Sequence, residues 1–67
     1  MPYLSLVVPV FNEEESLPLL YVSITQALSS LAHTWELVFV DDGSSDSSPR
    51  ILEELAKRDP EHVRVVL

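Results

Sequence analysis

The sequence contains no cysteine, a single glycine and no basic residue before Arg50. The absence of cysteine excludes disulfides and thiolate zinc sites. With Gly43 as the one glycine, neither the G-x-G-x-x-G dinucleotide loop nor a Walker phosphate loop can be written. The chain must therefore be stabilised without cross-links and must bind any ligand without a glycine-rich phosphate loop.

Positive charge is also scarce, because 4 basic residues stand against 11 acidic ones and the formal net charge is −7. A nucleic-acid backbone needs a clustered basic face, and anionic lipid attracts polybasic segments. We therefore expect no nucleic-acid partner and no peripheral attachment of this segment to anionic lipid.

The chain has 67 residues, of which 46% are hydrophobic. That balance is typical of a packed core, but a chain of this size buries only about 60% of its unfolded surface. We expect one small domain or a piece of a larger one.

No charged n-region opens the sequence, so no signal peptide is predicted. The uncharged stretch between Glu15 and Glu36 is long enough to cross a bilayer, but Pro18 and frequent polar residues favour an amphipathic helix, and we expect a soluble segment.

Three apolar runs, at 3–10, 36–40 and 63–67, predict strands. A helix is predicted from Asn12 or Ser16, with an apolar stripe at spacings of three and four: Leu17, Leu20, Ile24, Leu28 and Leu31. A second helix begins at Ser47 or Ser48 and ends before Pro60. The predicted fold class is α/β: a β-α-β-α-β unit with a parallel sheet, right-handed crossovers and helices covering its faces.

Ligands of open parallel sheets bind beyond the carboxyl ends of the strands, where two acidic segments follow the first and second strands. Carboxylates there suit sugar hydroxyls and base N–H donors, so a nucleoside fits better than a phosphate. Phe11 offers a wall for a base, although core packing is an equal alternative. Each acidic residue also has a structural interpretation in place of ligand binding. Glu13 would be a partner of the helix dipole, and Asp41, Asp42 and Asp46 would be turn or capping residues.

A calcium loop starting at Asp42 is a further alternative, because oxygen-bearing side chains fall at EF-hand positions one, three, five, seven and twelve. It is disfavoured, since Ser47 stands where the turn needs glycine, Pro49 follows, and an apolar strand precedes the loop. His33 and His62 have no partner at ligand spacing and are expected in turns or on the surface, whereas Trp35 is expected in the core.

Two segments, LVVPVFNEEESL and ELVFVDDGSSDSS, resemble the N-terminal part of the family 2 inverting glycosyltransferases with the Rossmann-like GT-A fold. The resemblance is closest to the branch that transfers a hexose from a nucleotide sugar to a polyprenyl phosphate, such as the dolichyl-phosphate and bactoprenol hexosyltransferases. It implies that Pro9, Phe11 and Glu13, together with Val40 and Asp42, bind the base and ribose of the donor. Asp41 would support the same loop, and Phe11 stands where many relatives have tyrosine.

The resemblance also implies what residues 1–67 do not carry. The D-x-D motif that holds Mg²⁺ or Mn²⁺ in this family has no counterpart here, nor do the catalytic base and the acceptor-binding residues. We therefore expect no catalytic and no metal-binding residue, and a partial GT-A domain that is inactive alone. The resemblance implies a UDP- or GDP-hexose as the donor and a polyprenyl phosphate as the acceptor. It also implies that the full enzyme lies at the cytoplasmic face of a membrane.

A hypothesis from another class is a non-catalytic α/β binding module, for instance a receiver-like Mg²⁺-binding domain. Receivers place an acidic pair after the first strand and a phosphorylatable aspartate after the third. Here the pair follows the second strand, and the third ends without an acid. A folded chain with no ligand is the remaining alternative. If the chain is the opening unit of a larger sheet, the first strand has a bare apolar edge, which predicts marginal stability or self-association.

Overall fold

The computed structural model describes residues 3–67. Strands and helices alternate along the chain: β1 Leu4–Val10, α1 Leu17–Ser29, β2 Trp35–Asp41, α2 Ser48–Arg58 and β3 Val63–Val66. The predicted α/β class and β-α-β-α-β order are confirmed, with strand limits that differ by one residue from the predicted ones.

The three strands form one parallel sheet in the order β1-β2-β3, so β2 is central. Every residue of β1 has a partner in β2, from Leu4 opposite Trp35 to Val10 opposite Asp41. β3 is shorter and pairs from Val63, which lies opposite Leu37. The carboxyl ends of β1 and β2 are therefore level, which brings the loops that follow them together.

Both helices lie on one face of the sheet, which corrects the expectation that both faces are covered. Trp35, Leu37 and Phe39 are buried, whereas Val38 and Val40 on the other face are only half-buried. In the order β1-β2-β3 both crossovers step the same way across the sheet, so two right-handed connections place their helices on the same side. One core results: Val10, Leu17, Leu28, Trp35, Leu37, Phe39, Leu52, Leu55 and Val63.

The helix limits follow from local sequence. Proline stands in the first turn of each helix, where its missing N–H is not needed. α2 carries Lys57 and Arg58 in its last turn, where positive charge favours the helix dipole, and Pro60 follows two residues beyond. Leu52 and Leu55 are buried and lie on the side of α2 that packs against the sheet.

A cluster of polar and aromatic side chains closes the amino end of the sheet. Trp35 is 9% exposed, as expected for a core residue, and its ring stacks on His62 with centroids 3.8 Å apart. His62 Nδ1 lies 3.0 Å from Asp59 Oδ1, and the Tyr21 hydroxyl donates to Asp59 Oδ2 at 2.9 Å. This cluster links α1, the end of α2 and the start of β3. His33 lies in an exposed turn and stacks on Tyr3.

Candidate functional site

The two loops that follow β1 and β2 lie side by side at the carboxyl end of the sheet. We call residues 11–16 and 42–47 the carboxyl-end rim. Pro9 and Val40 are register partners on the face that carries no helix, just before this rim. Val10 and Asp41 form the last register pair, and Phe11 and Asp42 follow immediately. Four of the five predicted nucleotide-sugar-binding residues are thus neighbours across one pair of strands.

Phe11 is 57% exposed. The alternative that it packs into the core is therefore wrong. An exposed aromatic ring directly after a buried strand residue is available to contact a planar ligand.

The adjacent aspartates have different surroundings, because successive positions of a strand point to opposite faces. Asp41 Oδ2 accepts a hydrogen bond from the Ser44 amide at 3.0 Å, and Asp41 Oδ1 accepts the Ser44 hydroxyl. Gly43 completes this tight turn with φ +81°. Turn chemistry therefore accounts for Asp41.

Asp42 is exposed, and its amide donates to the Val10 carbonyl at 2.8 Å, which extends the ladder between β1 and β2 by one bond. Within residues 3–67 its carboxylate accepts no hydrogen bond, in contrast to that of Asp41. Asp42 therefore has a fixed backbone and a carboxylate open to a ligand.

Glu13 is not among these register neighbours and lies in the loop that leads from β1 to α1. Its carbonyl accepts the amides of Ser16 and Leu17 at 3.0 and 2.9 Å, and its carboxylate accepts the Ser16 hydroxyl at 3.3 Å. The helix-dipole alternative is not supported, because α1 begins at Leu17 and its first turn holds no acidic residue; Glu13 instead bonds the residues just before and at the start of the helix. Glu13 also lines a shallow depression of about 240 Å³ that is formed by residues 12–16 and Asp46.

Asp46 acts as a turn and cap residue at the start of α2. Asp46 Oδ1 accepts the Ser48 amide at 2.9 Å, and Asp46 Oδ2 accepts the Glu14 amide at 3.2 Å. Desolvation acts to raise the pKa of Asp46, but hydrogen bonds from Ser48 and Glu14 outweigh it and hold the pKa below its usual value. The Asp46 carboxylate is therefore used within the protein, to hold the amides of Ser48 and Glu14.

Asn12 is a site residue that the sequence reasoning missed. Its φ is +50°, and its side-chain Oδ1 accepts the amides of Ser45 at 2.8 Å and Asp46 at 3.3 Å. The signal in the sequence was the residue type, because asparagine, here two positions beyond the end of β1, is one of the few non-glycine residues that adopt left-handed backbone geometry.

A larger depression, of about 660 Å³, lies at the opposite end of the sheet, between residues 31–36 and the start of β3. We place the candidate site at the carboxyl-end rim because ligands of open parallel sheets bind beyond the carboxyl ends of the strands. Within the described residues 3–67, no three histidine, aspartate or glutamate side chains converge to hold a metal ion. No helix in the same range is long and apolar enough to cross a bilayer.

Comparison with known proteins connects this sequence to a family. The family model described as Glycosyl transferase family 2 matches residues 5–67. The chain is 46% identical over 63 residues to the undecaprenyl-phosphate 4-deoxy-4-formamido-L-arabinose transferase of Proteus mirabilis (strain HI4320), a match that covers 94% of the chain and 19% of that relative. The enzymes of the same name from Pseudomonas fluorescens (strain SBW25) and Salmonella choleraesuis (strain SC-B67) are 46% and 43% identical, over 94% of the chain and 18% and 19% of their lengths.

The chain thus spans about a fifth of the length of the curated relatives that it matches. Both motif segments lie within the matched residues, and the structure places them on adjacent parallel strands. The receiver-like alternative is not favoured, because the acidic pair stands at the end of the second strand, not the first, and Asp41 accepts hydrogen bonds from Ser44. The sequence match and the α/β architecture agree: the chain belongs to glycosyl transferase family 2.

Proposed function

We propose that this chain supplies the nucleoside-binding part of the donor site of a glycosyltransferase whose acceptor is a polyprenyl phosphate. The observation that carries the proposal is the family match over residues 5–67, with both motif segments meeting at one rim of the sheet. The names of the relatives specify undecaprenyl phosphate, which supports a polyprenyl-phosphate acceptor. In this proposal residues 1–67 are a partial GT-A domain.

Each proposed site residue has a role that suits its surroundings. The exposed ring of Phe11 packs against the base, and the Asp42 carboxylate accepts hydrogen bonds from ribose hydroxyls or base N–H groups. Pro9 and Val40 let the backbone approach the nucleoside closely, and Glu13 approaches it from the side of α1. Asp41 keeps the turn after β2 in place through its two hydrogen bonds with Ser44.

The charge of the rim favours the nucleoside end of the donor. Six carboxylates lie in or beside residues 11–16 and 42–47: Glu13, Glu14, Glu15, Asp41, Asp42 and Asp46. A diphosphate placed among them would be repelled, whereas hydroxyl and N–H donors are attracted. The donor therefore binds with its base and ribose at the rim and its diphosphate directed away from it.

Glycosyltransferases of this family are generally metal-dependent, and we propose Mg²⁺ or Mn²⁺ as the ion in the complete enzyme. Residues 3–67 do not fit a metal site, because no suitable group of three ligands is present among them. The part of the reaction that falls to this chain is therefore binding and orientation of the nucleoside. Departure of the diphosphate and activation of the acceptor are the work of other residues, and we expect this chain alone to transfer no sugar.

The donor that we propose is a nucleotide sugar, with UDP- or GDP-hexose as the first candidates. The relatives' names give a modified arabinose, which is a pentose, so the proposed hexose rests on the motif resemblance and not on these relatives. Because polyprenyl phosphates are membrane lipids, we propose that transfer takes place at the cytoplasmic face of a membrane. The bare β1 edge also leads us to propose self-association.

Isothermal titration of the chain with UDP-hexose and with GDP-hexose tests the nucleoside site. We expect one of the two to bind, and Asp42→Asn to weaken that binding about tenfold or more, since a hydrogen bond to a charged group contributes about 1.5–3 kcal/mol. Glu53→Gln is the matched control, because it removes the same charge from an exposed position on α2. Failure of both donors to bind, or equal weakening by the two substitutions, would contradict the proposal.

A further inference from the structure

We propose that Asn12 is a positioning residue that fixes the two halves of the donor site relative to each other before any ligand binds. The inference rests on the proposed function, because the two halves are the residues that we assign to the nucleoside. It goes beyond that assignment by naming a residue that holds the site together and need not contact the donor.

The first observation is the backbone of Asn12. Among residues 3–67, it is the one non-glycine residue with positive φ, at +50°. Left-handed geometry costs roughly 1–2 kcal/mol for an ordinary L-residue and is tolerated best by glycine, asparagine and aspartate. The chain bends here, at Phe11 and Asn12.

The second observation is what the Asn12 side chain does in that geometry. Its Oδ1 accepts the amides of Ser45 and Asp46, two consecutive residues more than thirty positions away in the sequence. The Asn12 amide in turn donates to the Ser44 hydroxyl at 2.9 Å. A single residue of the first loop is thus bonded to three successive residues of the second.

The neighbouring residues extend the same connection. The Glu13 amide donates to the hydroxyl of Ser48 at 2.9 Å, and Ser48 is fully buried. The Glu14 amide donates to Asp46 at 3.2 Å. Three consecutive amides of the loop after β1 are therefore satisfied by side chains of residues 44–48.

These hydrogen bonds between the two loops lie among the residues that we assign to the nucleoside. Phe11 precedes Asn12 and Glu13 follows it, while Asp42 lies two residues before Ser44. No hydrogen bond within the described residues 3–67 joins the side chains of Phe11, Glu13 and Asp42 to one another, so their spacing depends on the two loops. A ligand that contacts both loops binds tightly only when the loops are already ordered, because the free-energy cost of ordering them on binding would reduce the affinity.

Substitutions can separate the backbone role of Asn12 from the role of its side-chain acceptor. Asn12→Gly keeps the backbone freedom but removes the Oδ1 acceptor, whereas Asn12→Asp keeps an acceptor oxygen. Hydrogen exchange of the Ser45 and Asp46 amides reports the connection without ligand, and titration with UDP and GDP reports the site. Leu52→Ala serves as a control, because it lowers stability from the core and leaves the rim unchanged.

We expect Asn12→Gly to speed exchange at Ser45 and Asp46 about five- to tenfold and to weaken nucleotide binding by a similar factor, after correction for the folded fraction. Asn12→Asp keeps an acceptor oxygen and should show slower exchange at Ser45 and Asp46 than Asn12→Gly, and Leu52→Ala should change neither value in the folded fraction. Unchanged exchange or unchanged affinity in Asn12→Gly overturns the positioning role while leaving the proposed function intact. If the parent chain binds no nucleotide, the proposed function fails, and the positioning role fails with it.

Discussion

At the scale of single residues, the candidate site depends on a difference between two adjacent carboxylates. Asp41 is bonded to Ser44, and Asp42 is exposed with an open carboxylate. Strand alternation predicts that adjacent side chains point to opposite faces, so this difference was accessible from the sequence. The residue type of Asn12 permits left-handed geometry, but the hydrogen bonds that hold its side chain come from residues more than thirty positions away and were not predictable from the sequence.

Tyr21 gives a prediction about pH. Burial, followed by the hydrogen bond to Asp59 and that carboxylate's charge, raises the pKa of Tyr21 above its usual value of 10.0. A raised pKa in the folded state means that the contribution of neutral Tyr21 is complete below pH 10.0 and is lost as the pH rises through the folded-state value. Tyr21→Phe should therefore lower the free energy of unfolding by about 1 kcal/mol at neutral pH.

The loss should shrink above the folded-state pKa of Tyr21, where the parent chain has also lost this contribution. Urea unfolding of the parent and of Tyr21→Phe at neutral and strongly alkaline pH measures both effects. Tyr3→Phe is the matched control, because Tyr3 is exposed and phenylalanine keeps the ring that stacks on His33. An equal loss of stability in the two variants would show that the bond to Asp59 contributes nothing.

At the scale of helices and strands, the sequence predicted the number, type and order of the elements. Short apolar runs predicted all three strands, and proline at helix starts placed α1 and α2 within a few residues of their limits. The side of the sheet on which each helix lies was not predictable, because it depends on the order of the strands. That order is decided by long-range pairing, which neither periodicity nor capping residues encode.

Helix α2 is held to the sheet by few side chains, of which Leu52 is fully buried. Leu52→Ala should cost about 2–5 kcal/mol. A domain of this size has only about 3–10 kcal/mol of stability in total, so this substitution should remove a large part of it. Glu53→Ala, at the next and exposed position, should change stability by less than about 0.5 kcal/mol.

Thermal or urea unfolding followed by far-ultraviolet circular dichroism measures both variants. The comparison isolates packing from helix propensity, because alanine replaces a good helix former at each position. Similar stabilities for the two variants would mean that α2 is not packed as the structure places it.

At the scale of the whole molecule, the face of the sheet opposite the helices is open. Val7 is 59% exposed and Val66 is 51% exposed on this face, and β1 is an edge strand with unpaired backbone groups. Exposed apolar sheet faces and edges favour pairing with other chains. We therefore expect self-association, which adds to the modest stability expected from a core of this size.

Sedimentation velocity over a range of concentrations tests this expectation. The parent chain should sediment faster as concentration rises, and Val7→Lys should abolish most of that increase. Leu19→Lys is the control, because it places the same charge at an exposed apolar position on α1, away from the open face. A parent chain that remains monomeric throughout, with a sharp two-state unfolding transition, is the contrary result.

The central claim is that the carboxyl-end rim binds the nucleoside of a nucleotide sugar. The most direct measurement is a map of backbone amide shifts in ¹H–¹⁵N NMR spectra as UDP, GDP and inorganic diphosphate are added separately. We expect one nucleotide to shift Phe11, Glu13 and Asp42 most strongly, and diphosphate alone to leave them unshifted. Shifts centred on residues 31–36 at the opposite end of the sheet, or equal shifts with diphosphate, would contradict it.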